Sequence, residues 1–247
     1  MDFLNALILL LNYIFVPALA YGSQLAIGAI FVTLIYGILR FANFATGDMM
    51  SFGTMVAILF TWYFQSLGLS LGFLPTALLA IPFAILFMGL YMLIIDKFVF
   101  KYYRLNKSPP VQLAMVSIGV MFVTQAVVRI IIGPSDRRFF DGEKFLIKAN
   151  EFKEMTGLNE GLAIKSTQVI TIVVTIILVS ALFWFLNKTK TGKSMRAYSD
   201  NEDLALLSGI DPKKIVMITW MIAAILATIG GVLYGLDKSF KPVSYTH

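Results

Sequence analysis

Seven stretches of this chain, each close to the length of a membrane crossing, are dominated by apolar residues, and that pattern limits what the chain can fold into. They run at about 3–19, 22–39, 49–68, 74–98, 111–132, 167–186 and 215–236. A helix needs about 20 apolar residues to cross a hydrocarbon core about 30 Å thick. A lone apolar segment in lipid can satisfy its backbone only as a helix. The expected fold is therefore all-α, a polytopic transmembrane bundle of about seven spans in a single domain, 1–247. Composition agrees: 14% of the 247 residues are charged and the mean hydropathy is +0.81, against roughly 25% charged residues in a soluble domain. The first stretch lacks a basic start and a small-residue cleavage site, so it reads as a retained helix rather than a signal peptide.

The connections predict an orientation. Lys97, Lys101, Arg104 and Lys107 crowd one short loop, which places it in the cytoplasm by the positive-inside rule. By alternation the loop 187–214, with Lys188, Lys190, Lys193, Arg196, Lys213 and Lys214, falls on the same side. The connection 133–166, with six basic and six acidic residues, falls opposite. Seven spans then put the N-terminus in the cytoplasm and the C-terminal tail outside. The formal charge of +6 is the excess such loops produce, so nucleic acid is not an expected partner; the lipid bilayer is.

Several chemistries drop out. The chain has no Cys and a single His, His247, so disulfides, thiol nucleophiles and zinc sites are excluded. No G-x-x-x-x-G-K-[ST] loop is present, so ATP is not bound here by that route. No segment is long and polar enough for a soluble catalytic domain. The expectation is a non-enzyme with no metal and no cofactor of its own, driven by a partner or an ion gradient.

Three segments carry more information. Between Thr33 and Gly53 an apolar helix runs out at Leu39, and Arg40, Asn43, Thr46 and Asp48 follow before apolar character returns. Gly47 permits a turn, and Asp48 is placed to cap the next helix. The plain reading is a capped corner at the interface. The sharper one is a broken-helix element beside a permeation path, where irregular backbone is tolerated because it lines a cavity. In the loop 189–215, Ser199 with Glu202, or Asp200 with Asp203, would form a capping box. Leu204, Leu206 and Leu207 follow, Gly209 offers a left-handed cap, and Asp211–Pro212 starts the next helix. A helix of two to three turns is marginal in water, so it must dock, either on its own bundle or on a cytoplasmic partner. In the last span Ala223, Ala227, Gly231 and Gly235 recur every four residues, a stripe that admits close helix approach. Segment five carries Gln112, Ser117, Thr124 and Gln125. Gln125 is a candidate for lining a pathway, an interhelical hydrogen bond being its plainer role, and Arg129 can snorkel to the outer interface.

Four stretches, LIYGILRFANFATGD at 34–48, IDKFVFKYYR at 95–104, SIGVMFVTQAVVRIIIGP at 117–134 and TGKSMRAYSDNEDLALLSGIDPKKI at 191–215, together resemble the permease subunits of bacterial branched-chain amino acid ABC importers. Their order and spacing agree over essentially the whole chain. The resemblance implies a bacterial inner-membrane permease working with a second homologous permease, two cytoplasmic ATPase subunits that bind the ATP, and an extracytoplasmic solute-binding protein. It implies that 195–210 is the coupling helix seated on the ATPase, with Arg196, Leu204, Leu207, Gly209 and Ile210 as its surface. It also makes Asn43, Gly47 and Asp48 the first-loop motif. That motif usually carries His or Gln where this chain has Thr46, so no role passes to Thr46. Family members continue with further membrane helix past the point matching Gly235, so a chain truncated relative to them is expected.

Within the resemblance, urea or short amides compete with leucine, isoleucine and valine as substrates. An ion-driven carrier or channel would show ionisable residues deep in its helices, whereas Asp48 and Asp96 fall at segment ends. An intramembrane enzyme would need a Ser–His pair, a His-rich metal site or two facing carboxylates, and the sequence offers none of these.

Overall fold

The structure is a computed structural model that describes residues 2–69, 71–72, 74–139, 145–156, 160–238 and 240; His247 lies outside them. Helix begins at once: α1 (Asp2–Leu10) passes through a single π-turn, Leu11–Phe15, into α2 (Val16–Leu39). The first two apolar stretches are thus one helix, Phe3–Leu39, 37 residues long and about 55 Å from end to end. Nothing between them breaks a helix. The lone Gly22 costs about 1 kcal/mol, and a helix already propagating in lipid tolerates it.

The chain continues through α3 (Thr46–Ser66), α4 (Ala77–Ile95), a second π-turn (Asp96–Phe100), α5 (Lys101–Leu105) and α6 (Pro110–Ile132). A connection follows with β1 (Phe145–Ile147), α7 (Ala149–Thr156) and β2 (Ile164–Lys165), the two strands pairing antiparallel. Then come α8 (Ser166–Lys188), α9 (Lys190–Asp200), α10 (Glu202–Leu207) and α11 (Pro212–Asp237). The transmembrane helical bundle is as expected, but seven spans are not. Among the described residues five helices are long and apolar enough to cross a membrane: Phe3–Leu39, Ala77–Leu105, Pro110–Ile132, Ser166–Lys188 and Pro212–Asp237. A sixth long helix, α3, is less apolar because it lies inside the bundle against α4, α6 and α11, with Ser51, Thr54 and Thr61 all buried.

Merging the first two stretches leaves the basic loops together and moves only the N-terminus. Asn12 donates from Nδ2 to the Gly161 carbonyl at 2.7 Å and accepts from the Ala163 N–H at 2.9 Å. The N-terminal turns therefore sit beside the α6–α8 connection, not at the basic end as expected.

The bundle is organised around α11. Of its most apolar window 72% is buried, against 11% for α8 and for the Phe3–Leu39 helix. The small-residue stripe explains the close approach. A Cβ added at Gly231 would collide with the Thr54 hydroxyl and the Met50 carbonyl of α3, and one at Gly235 would lie 2.9 Å from the Phe139 ring. At the end opposite the basic loops, Phe240 exchanges backbone hydrogen bonds with Arg137 at 2.8 and 2.9 Å. Trp62 and Gln65 of α3 donate to the carbonyls of Arg138 and Phe139. These contacts hold the segment 133–139 across the ends of α3 and α11.

Candidate functional site

Polar side chains gather at two levels. At the basic end, α2 terminates at Arg40, which adopts the left-handed conformation (φ 57°) while its N–H bonds the Tyr36 carbonyl at 2.9 Å. A non-glycine residue pays for this conformation. The Arg40 guanidinium offsets that cost by donating to the carbonyls of Ser199 and Asp200 on α9. The Ser199 hydroxyl donates to the Gly37 carbonyl at 2.7 Å. So α9 is docked across the end of α2, and Met195 and Tyr198 are buried in a cluster with Ile38, Ala205 and Ile215. Burial first, and then its 2.7 Å hydrogen bond to Glu202, hold the Tyr198 phenol above the usual tyrosine range.

The loop is therefore two helices where one was expected. Thr189 caps α9, accepting from the Gly192 N–H at 3.0 Å. Neither expected capping box forms: Asn201 caps α10, accepting from the Leu204 N–H at 3.0 Å. Ser199 cannot serve because α9 runs through it and its hydroxyl is spent on α2. The far end is as expected. Gly209 is left-handed (φ 80°), its N–H bonds Leu206, and the Ile210 N–H bonds Ala205, the pair of bonds that defines a Schellman cap. Asp211 caps α11 through the Lys213 N–H at 2.9 Å.

The five coupling-surface residues consequently separate. Leu204 (60% exposed) and Leu207 (85%) stand out from α10 largely uncovered, Arg196 and Gly209 are exposed, and Ile210 packs inward on the Met195–Tyr198 cluster.

A brace that the sequence reading passed over lies alongside. Arg104 grips Asp96 with two hydrogen bonds of 2.6 and 2.9 Å, and Trp220 of α11 donates to the same carboxylate at 2.7 Å. Trp220 stacks on Phe100 (5.7 Å between centroids), which in turn meets Phe41 of the corner at 5.1 Å. One carboxylate thus joins the α4–α5 helix to α11, and the aromatic ladder carries the join to the α2–α3 corner.

The second polar level is inside the bundle. The corner turns at 40–45, so Gly47 lies within the first turn of α3 rather than making the turn. Asn43 is buried and accepts from the Ala45 N–H at 3.0 Å, while the Phe44 N–H bonds Ser117 of α6 at 3.0 Å. The corner is therefore sunk beside the second turn of α6 instead of lying at a helix end. Asp48 does not cap α3; the residue at the cap is Ala45. Its carboxylate is 1% exposed and faces Gln125 and Arg129 of α6. Asp48 Oδ2, the Ser51 hydroxyl and Arg129 Nε are buried without a hydrogen-bond partner. Arg129 is half-buried, with Nε inside the bundle. One helix turn away Tyr91 and Thr124 share a 2.6 Å hydrogen bond, and Tyr91 stacks on Phe52 at 4.0 Å. Asp48 and Gln125 are brought face to face, and Asn43 stands in the corner just before α3.

Residues 14–246 match the family described as branched-chain amino acid transport system / permease component. The chain belongs to this permease family. Its relatives include the high-affinity branched-chain amino acid transport system permease protein LivH of Escherichia coli (strain K12), 27% identical over 87% of this chain and 67% of that protein. The high-affinity branched-chain amino acid transport system permease protein BraD of Pseudomonas aeruginosa is 26% identical over 90% of the chain and 70% of its own length. A probable LivH permease of Methanocaldococcus jannaschii is 25% identical over 92% and 67%. No solved structure matches the chain. The permease match covers both polar levels, the sunken corner and the α9–α10 pair.

Proposed function

We propose that this permease carries branched-chain amino acids across the bacterial inner membrane as one of two homologous permeases of an ABC importer. In this reading the basic end faces the cytoplasm, ATP is hydrolysed on two partner subunits seated there, and a solute-binding protein delivers substrate to the opposite end. The substrate class rests on similarity to the branched-chain amino acid permeases LivH and BraD.

The observation that carries the coupling role is α10. It is a six-residue helix, capped at both ends, whose Leu204 and Leu207 are exposed. Six residues cannot hold a helix in water unaided; here the docked α9 holds them. A rigid apolar knob on an otherwise charged loop fits a groove in a partner. Force on it passes through α9 to Arg40 and Gly37 of α2, and through the Asp211 cap to α11. Asn43, Gly47, Asp48 and Gln125 are assigned to the translocation path, because a carboxylate with an unmet oxygen inside the bundle has a polar guest to receive. An amino acid's ammonium group would supply the missing donor.

The test uses the full-length permease with its partners in liposomes. ATP hydrolysis and uptake are measured side by side for the wild type, Gly209→Val and a Leu204/Leu207 double alanine variant. Uptake is expected to fall at least tenfold relative to ATP hydrolysis in both variants while membrane insertion persists. Wild-type coupling in both would remove α10 from the role.

A further inference from the structure

Beside the coupling knob, a groove of about 240 Å³ opens between α2, α8 and α9. Its walls are Ile30 and Leu34 of α2 and Leu182 and Leu186 of α8, and Gly37 forms part of its floor. A Cβ at Gly37 would have only the Ser199 hydroxyl near it, at 3.7 Å, so the groove exists in part because residue 37 has no side chain. The mouth is of opposite character. Arg196 lines both this groove and a polar recess directly against it, which Lys193, Ser199 and Asp200 complete. Lys188 and Lys190 flank the same turn of chain. Arg40 and the Ser199 hydroxyl are already committed to the carbonyls named above. Among the described residues, Lys193 and Arg196 have neither an ion-pair partner nor a hydrogen-bond acceptor for their side chains.

We infer that this groove binds one anionic phospholipid from the leaflet at the basic end, with an acyl chain between α2 and α8 and the phosphate at Lys193 and Arg196. An apolar slot stacked under a cationic rim has the polarity profile of a phospholipid at the membrane–water boundary, and basic pockets between membrane helices hold anionic headgroups in this way. The helices forming the slot are the two least covered spans of the bundle, so lipid reaches it directly. A soluble anion would occupy the rim and leave the slot empty. Asp200 on the same rim opposes a headgroup phosphate, so the anionic preference has to come from Lys193 and Arg196 engaging it together. The bound lipid would brace α9 against α2 beside the Arg40 contacts, at the base of α10. The inference needs only that the chain spans a membrane, so it stands or falls apart from the transport assignment.

The experiment is native mass spectrometry of the full-length protein purified in neutral detergent and presented with equimolar phosphatidylglycerol and phosphatidylcholine of identical chains. The wild type should retain one phosphatidylglycerol with at least tenfold preference. Lys193→Ala/Arg196→Ala should abolish the preference, and Arg196→Lys should keep most of it. Gly37→Leu, which fills the slot and leaves the rim intact, should lose lipid of either kind. Equal retention of the two lipids by the wild type overturns the inference, as does an undiminished preference in the double alanine variant. Undiminished retention in Gly37→Leu places the headgroup on the rim with no chain in the groove, and overturns it too. Loss of the lipid when the complete transporter is assembled would assign the groove to a partner subunit instead.

Discussion

Asp96 and Asp48 are both carboxylates set among membrane helices, and their surroundings could hardly differ more. Asp96 receives two hydrogen bonds from Arg104 and one from Trp220. Asp48, more deeply buried, has an oxygen that meets no donor. A buried charge that is paired and fully hydrogen-bonded fixes the relative placement of the elements it joins. A buried charge left short of partners costs stability, and a bundle that retains one does so for a reason outside its own folding. The basic end thus behaves as a clamp that sets where α4, α11 and the corner stand. In the transport reading proposed above, the interior around Asp48 is where a polar guest binds.

The contrast predicts opposite responses to substitution. Asp96→Ala should produce the largest loss of stability of any change considered, about 3 kcal/mol, because it strands the Arg104 guanidinium and the Trp220 N–H together. Arg104→Ala combined with Asp96→Ala should cost less than the sum of the two singles. Thermal unfolding in detergent measures all three. Additive losses would mean that the pair is not coupled and the clamp is elsewhere.

Next in size is Gly231→Leu, which forces a side chain against Thr54 and Met50 at the heart of α11. Overpacking of this kind costs about 2 kcal/mol. A melting temperature equal to wild type would show that α3 and α11 do not meet along the stripe. Smaller again is Gly209→Val, which puts a β-branched residue at φ 80° and should cost about 1 kcal/mol. Its stability loss should be well below that of Gly231→Leu while its effect on uptake is greater.

How much of this was legible in sequence differs between the two regions for physical reasons. The bundle was, because blocks of apolar residues have one solution in lipid. The merger of the first two stretches was not, since a length of 37 residues invites division into two spans although nothing at Ala20–Gly22 stops a helix. The Gly209 cap and the Asp211–Pro212 start were readable because each is set by its own residues. The Asn201 cap was missed because Ser199 and Asp200 were equally good local candidates, and only the docking of α9 on α2 removes them. Asp96 and Arg104 stand eight apart, a spacing that does not align on an ideal helix. The π-turn at 96–100 inserts one residue, which brings them onto one face. A corner near residue 40 was legible from the end of the apolar run at Leu39, but its depth was not, because depth is set by the Phe44–Ser117 contact between residues 73 apart.

The smallest expected effect on stability separates clamp from site most sharply. Asp48→Asn keeps the size and shape of the side chain, keeps an acceptor toward Gln125, and removes a buried charge with an unmet oxygen. Relief of the buried charge is opposed by loss of its attraction to Arg129, so thermal stability should shift by less than about 0.5 kcal/mol, far short of Asp96→Ala. Transport should respond more strongly. If the Asp48 carboxylate receives the substrate's ammonium group, a neutral amide loses a charge-assisted hydrogen bond, worth about 1.5–3 kcal/mol. Uptake at low substrate would then fall at least tenfold, with less loss at saturation. Asp48→Glu would keep the charge but displace it by one methylene, giving an intermediate loss. Uptake and unfolding measured on the same preparations decide the matter. A destabilised Asp48→Asn with normal uptake would make Asp48 a second clamp, and the contrast between the two carboxylates would vanish.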